Sequence, residues 1–196
     1  MKAEVRHLRK RLSQFKKLGY DILKERDFAL AKAGFKKGKS ILEIGTGRGY
    51  MALVLARKGL TLTSIDQDRK ILRAARDILT YYGLEKSVHL RFMDAEQLRF
   101  EDLSFDYVLA VNFMHHARRP VHCIKEMVRV VKDEVVIVDV NKRGARILEK
   151  LHAKEGHGHE RSKIEFVEIR RALLKSGMKV KTYRSRCQTI IVAKKG

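Results

Sequence analysis

Glu43, Gly45, Gly47 and Gly49 fall within the run Glu43-Ile44-Gly45-Thr46-Gly47-Arg48-Gly49, directly after a short apolar segment. Glycines so spaced let a backbone turn tightly and let a ligand approach main-chain atoms that a Cβ would shield. A dinucleotide loop of the form G-x-G-x-x-G needs glycine where this chain has Tyr50. No G-K-[ST] sequence follows either, which excludes a phosphate-cradling P-loop. The carboxylate of Glu43 beside the loop is unfavourable next to a pyrophosphate and favourable next to a cation. The chemistry that fits is recognition of a cationic, phosphate-free nucleoside, with Thr46 inside the loop as a further contact.

Other candidates sit at the ends of later apolar runs. Asp66, followed by Gln67, closes one run, and Asp94, followed by Ala95, closes the next. Each acid also has a plainer reading: Asp66 and Asp68 as acids favoured at a helix N-terminus, Asp94 as the cap of a short turn. Asn112 ends a third run and is a further candidate contact for the ligand. His115 and His116 are the best placed candidates for a proton acceptor, although a wall of the pocket is the favoured role for them. His152, His157 and His159, with Glu160, lack helical i, i+4 spacing and read as solvated side chains, so no metal is expected.

These residues need a scaffold that brings strand ends together. Apolar runs at 40–45, 60–66, 88–94, 106–112 and 134–140 read as strands. Helical periodicity over 49–58, 68–82 and 119–131 alternates with them, which predicts a parallel sheet covered on both faces. Two basic helices, 2–18 and 21–33, precede the sheet. A helix near 163–175 leads into two strands whose connection of about four residues forces antiparallel pairing. The expected fold is one Rossmann-like α/β domain over 1–196. It comprises a basic helical cap (1–37), a cofactor-binding core (38–140), an irregular flap (141–162), and a helix with a terminal hairpin (163–196), the sheet being seven-stranded and mostly parallel.

The run EIGTGRG resembles the first motif of class I S-adenosylmethionine-dependent methyltransferases. FDYVLAVNFMHHARRP (105–120) resembles, without gaps, the fourth-strand region of the group that includes ubiquinone and menaquinone biosynthesis enzymes, with Met114 in place of leucine and Arg118-Arg119 in place of a commoner Pro-Asp pair. The resemblance covers residues 38–140, and the terminal hairpin in topology only. It implies S-adenosyl-L-methionine as cofactor, Asp66 on the ribose hydroxyls and Asp94 at the adenine. The implied activity is methyl transfer, in which the protein mainly aligns the nucleophile and excludes water.

The charge bears on the acceptor. The chain carries 44 Lys+Arg against 23 Asp+Glu, a net +21. Residues 1–39 hold 13 basic and 4 acidic side chains (+9), residues 40–140 hold 15 and 14 (+1), and residues 141–196 hold 16 and 5 (+11). Segments before the first strand and after the fifth surround the substrate mouth in such folds, which puts Arg118, Arg119, Lys142, Arg143 and Arg146 nearest the acceptor. An RNA or an anionic metabolite is the first choice. The alternatives are a neutral small molecule such as a quinone precursor, or a non-catalytic module that binds cofactor or nucleic acid. With two Asn and four Gln, a highly solvated, heat-adapted protein is the plainer reading of the charge, but it does not explain why positive so exceeds negative. Two cysteines give no disulfide framework and suit a reducing cytosol, and no stretch approaches the roughly 20 apolar residues of a membrane span. A soluble cytoplasmic protein is the expectation, and oligomeric state is not legible.

Overall fold

The computed structural model describes residues 3–155 and 164–196. Helices α1 (Ala3–Lys17) and α2 (Ile22–Ala33) precede β1 (Ile41–Ile44), α3 (Tyr50–Arg57), β2 (Leu62–Asp66), α4 (Arg69–Tyr81), β3 (Val88–Phe92) and β4 (Phe105–Val111). The chain continues through α5 (Pro120–Val130), β5 (Val131–Val140), α6 (Lys142–Glu155), α7 (Phe166–Lys175), β6 (Lys179–Arg184) and β7 (Gln188–Lys194). The strands form one seven-stranded sheet in the order β3-β2-β1-β4-β5-β7-β6. β1 to β5 run parallel, and β7 pairs antiparallel with both β5 and β6.

Near-continuous apolar runs give strands buried on both faces. Side chains alternate across the sheet. Leu42 and Ile44 join Val108, Ile137 and the inward faces of α5 and α7. Ile41 joins Leu109, Val136 and the apolar faces of α2 and α3. Glu43 shares the parity of Ile41, so its carboxylate rises on the side that α2 covers. The order reverses between β1 and β4, one continuing to β2 and the other to β5. A crevice at the carboxyl ends of the strands opens at such a switch point.

One expectation needs correction. The segment after β5 is not an irregular flap: Lys142–Glu155 forms α6. The Asn141 side chain caps it by accepting from the amides of Arg143 (3.0 Å) and Gly144 (3.1 Å). Ile147, Leu148 and Leu151 bury one stripe of it against Phe15, Tyr20, Ile22 and Cys187. Glycine and histidine content concealed an apolar face that exists only because the helical cap lies over it. His157, His159 and Glu160, and the side chain of His152, lie outside the described residues. Among the described residues no group of three His, Cys, Asp or Glu side chains could hold a metal, and no helix is long and apolar enough to cross a membrane.

Candidate active site

The crevice holds a cavity of about 370 Å³, within the range that accepts a small organic ligand. Its floor is the turn between β1 and α3. Gly45, at φ +79°, lies where a Cβ would come within 2.6 Å of the Phe113 ring. Gly47, at φ +50°, has open space in the same direction, so its main chain faces the cavity bare. The amides of Gly45 and Thr46 both donate to the Ile65 carbonyl at 2.9 Å, which locks the loop to the end of β2.

Asp66 is held as a ligand side chain would need to be. Its Oδ2 accepts from the Gly47 amide at 2.9 Å and its Oδ1 from the Asp68 amide at 3.0 Å. Each oxygen keeps a lone pair for a hydroxyl donor. Asp68, by contrast, is the N-cap of α4, accepting from the Lys70 and Ile71 amides, so the helix-end reading holds for that residue. Asp94 closes a turn, its Oδ1 accepting from the Glu96 amide at 2.8 Å, and it lines the cavity beside Ala95. Gln67 lines the cavity too.

Glu43 is buried, and its Oε2 accepts from Ser64 Oγ at 2.5 Å, which in turn lies 2.7 Å from Thr46 Oγ1. Burial pushes its carboxyl up to about 7, partly offset by Ser64 and by the guanidinium of Arg26. Arg26, on α2, is the residue that sequence patterning missed. It lines the cavity and is 6% exposed, and its Nε and Nη1 meet no hydrogen-bond partner among the described residues. Burial lowers its pKa, while Tyr20 and then Glu43 oppose that shift. A buried guanidinium without a partner is costly. A bound carboxylate would satisfy it, and the carboxylate of Glu43 would take the accompanying ammonium. The pair is matched to the zwitterionic end of an amino acid.

Asn112 adopts φ +52°, a left-handed conformation that Asn tolerates better than most residues. Its amide donates to the Val138 carbonyl at 2.7 Å, and its Oδ1 accepts from Gln188 Nε2 at 3.1 Å, so β5 and β7 orient it on the cavity wall. Cys123 also lines the cavity, but burial pushes its thiol up to about 12, leaving no thiolate nucleophile at neutral pH.

The two histidines part company. His116 is exposed on the cavity lining. His115 does not line it. The two rings lie 4.1 Å apart between centroids, and His115 Nδ1 is 2.6 Å from Oδ1 of the buried Asp139 at the end of β5. Asp139 follows the same strand-end pattern as Asp66 and Asp94, a signal present in EVVIVDV. Of the basic candidates, Arg118 lines the cavity and reaches Asp94 at 3.6 Å. Arg119 is held by Glu96, with its Nε at 2.6 Å from the carboxylate. Lys142, Arg143 and Arg146 stand on α6, outside the cavity lining.

The donor set fits a nucleoside that carries an amino-acid zwitterion: acids at the β2 and β3 crests, a bare glycine loop, and the Arg26–Glu43 pair. Residues 42–139 match a family described as a methyltransferase domain. The chain belongs to this family. Its cofactor is S-adenosylmethionine. This methyltransferase domain is 37% identical over 105 residues to phosphatidylethanolamine N-methyltransferase of Cereibacter sphaeroides, covering 53% of this chain and 51% of that protein. It is 28% identical over 149 residues to ubiquinone biosynthesis O-methyltransferase of Aeromonas salmonicida, covering 69% and 61%. A SAM-dependent methyltransferase from Aquifex aeolicus shares the fold, with a TM-score of 0.68 at 18% identity, covering 86% of each chain. The chain spans about half the length of the curated relatives it matches.

Proposed function

We propose that this chain transfers a methyl group from S-adenosylmethionine to an anionic acceptor, an RNA before an anionic metabolite. When bound, the cofactor supplies an electrophilic methyl group on a sulfonium sulfur. Arg26 and Glu43 would hold its amino-acid end, Asp66 its ribose hydroxyls, and Asp94 with Ala95 its adenine. The observation that carries the acceptor reading is the distribution of charge, +9 and +11 on the flanks against +1 in the core. The cavity volume supports it, because about 370 Å³ is near the lower end for a small-molecule site. A cofactor would take most of that space, and the acceptor would present its reacting group from outside, past Arg118 and His116.

A second reading, a neutral small molecule bearing a hydroxyl, draws on the His115–Asp139 pair and on the quinone-pathway name of the Aeromonas relative. Transfer of tritiated methyl from the cofactor separates the two. Total RNA and a panel of phenolic hydroxy-compounds are offered in parallel. Label in RNA supports the first reading, and label in a phenol with none in RNA replaces it with the second.

A further inference from the structure

We infer that this chain carries a docking surface for the phosphate backbone of structured RNA, where the α1–α2 turn, the first turn of α6 and the β6–β7 turn meet. The inference rests on the RNA reading of the acceptor and adds where that RNA is held. These three segments are far apart in sequence, yet one buried cluster of Phe15, Tyr20, Ile22, Ile147, Leu151 and Cys187 ties them together. The cations above that cluster include Lys16 and Lys17 from α1, Arg143 and Arg146 from α6, and Arg184 and Arg186 from the hairpin, all exposed.

Two observations set this surface apart from an ordinary solvated face. First, Arg143 Nη2 and Arg186 Nη2 lie 3.6 and 3.7 Å from the point a Cβ on Gly19 would occupy, so two guanidinium groups converge over one glycine. Neither makes a salt bridge with a described residue. Among the six cations, Lys16 alone has one, to Asp21 at 3.7 Å. Second, Lys142 and Arg143 open α6 with no acid in its first turn. Cations there add to the positive end of the helix dipole instead of opposing it. Local electrostatics therefore works against stability at one spot, and a sequence tends to break a local rule in this way at a functional site. Two guanidinium forks side by side match phosphate oxygens, which they can engage bidentately.

The surroundings point to a nucleic-acid backbone rather than a lipid surface. Insertion into a bilayer needs a large apolar face. Of the exposed large apolar side chains only Leu23, at 37%, belongs to these segments, and no exposed aromatic ring is among them to stack on unpaired bases. α1 lies flat, with Val5 and Leu8 buried against Leu53 and Ile78, so it does not project as a groove-reading helix would. A flat cationic face with no reading helix and no stacking ring suits recognition of a double-stranded RNA segment by shape and phosphates. The surface adjoins the cavity, since Gly19 precedes Tyr20, whose hydroxyl is close enough to Arg26 to influence its charge state.

Fluorescence anisotropy with a labelled RNA hairpin, titrated against salt, tests this. Arg143→Glu with Arg186→Glu should weaken binding at low salt by roughly tenfold or more and make the log–log salt slope shallower by about two. Reversal of Lys36 and Lys86, away from the surface, should change it less than about twofold, whereas Arg143→Lys with Arg186→Lys, which keeps the charge and loses the forks, should weaken binding severalfold and leave the salt slope unchanged. Cofactor affinity by calorimetry stays unchanged in every variant and certifies the fold. RNA binding that survives the reversal overturns the surface and leaves the acceptor reading to the tritium assay. Tighter binding of anionic vesicles or of the equivalent DNA hairpin, lost on the same reversal, overturns RNA as the partner. Absence of RNA binding at low salt overturns both readings together.

Discussion

His115 Nδ1 stands 2.6 Å from Asp139 Oδ1, and the same carboxylate accepts from the Val140 amide at 2.8 Å and from the His115 amide at 3.3 Å. Asp139 is thus anchored by main chain and in turn fixes the imidazole. With Nδ1–H given to the carboxylate, the neutral ring carries its lone pair on Nε2, the arrangement a proton acceptor requires. Because His115 stands behind the cavity lining, His115→Gln and Asp139→Asn are each expected to lower turnover only modestly, with cofactor affinity retained, and a loss of about a hundredfold would show that the ring acts as a base. The double variant should be little worse than either single one, because the two residues act as a unit. Additive losses in single-turnover rates would show that they do not.

Arg26 links apo stability and cofactor affinity with opposite signs. Arg26→Met removes a buried cation whose Nε and Nη1 lack a hydrogen-bond partner among the described residues, so the melting temperature of the cofactor-free chain should rise. S-adenosylmethionine should bind roughly ten- to a hundredfold more weakly, the loss of a charge-assisted hydrogen bond worth about 1.5–3 kcal/mol. Thermal melts with and without ligand read both effects. A melting temperature that falls in the apo state would mean that the guanidinium is satisfied within the fold.

Glu43 should make the chain sensitive to pH. Its carboxyl, raised to about 7 by burial, keeps its proton in the folded state at pH values where the unfolded chain has released it. The folded state then binds more protons, so this contribution to stability is complete in acid and is lost as pH rises towards 7. A cationic ligand prefers the ionised form, so cofactor affinity should increase from about pH 6 to 7. Glu43→Gln is expected to flatten both profiles in calorimetry and in chemical denaturation.

Asp66→Ala frees the Gly47 amide and, on the proposed cofactor placement, removes the acceptor for two ribose hydroxyls. The expected loss in cofactor affinity is about 2 kcal/mol or more, each hydrogen bond contributing about 1 kcal/mol. NAD should show no binding, because Glu43 and Tyr50 stand where a pyrophosphate loop needs neither. Saturable NAD binding in calorimetry would contradict the cofactor geometry.

The sheet was legible because its strands are continuous apolar runs ended by glycine or acid, and Asp66 and Asp94 fell at the crests that such runs predict. α6 was hidden because its buried stripe of Ile147, Leu148 and Leu151 is short and is interrupted by residues that read as loop. Arg26 was hidden for a different reason. Within KERDFALAKA it is one charge among several, and only the parity of Glu43 on β1 and the position of α2 over it turn that cation inward. Asp139 obeyed the strand-end rule, but its significance lies in the imidazole opposite it, which no spacing along the chain reveals.

Glu25 and Arg26, neighbours on α2, face different parts of the molecule. Arg26 enters the cavity, while Glu25 accepts from Ser185 Oγ and from the Cys187 amide, the latter at 3.2 Å. Gln188, the next residue, orients Asn112. The cap and the pocket wall thus share one clasp, in the turn that leads into β7. During synthesis on the ribosome, a nascent chain that has reached only Arg184 owns the glycine loop and every acid at the strand crests, yet lacks both the clasp on Glu25 and the Gln188 contact to the Asn112 side chain. The cavity is finished late, and ligand capture there would mark the arrival of β7 rather than of the first five strands.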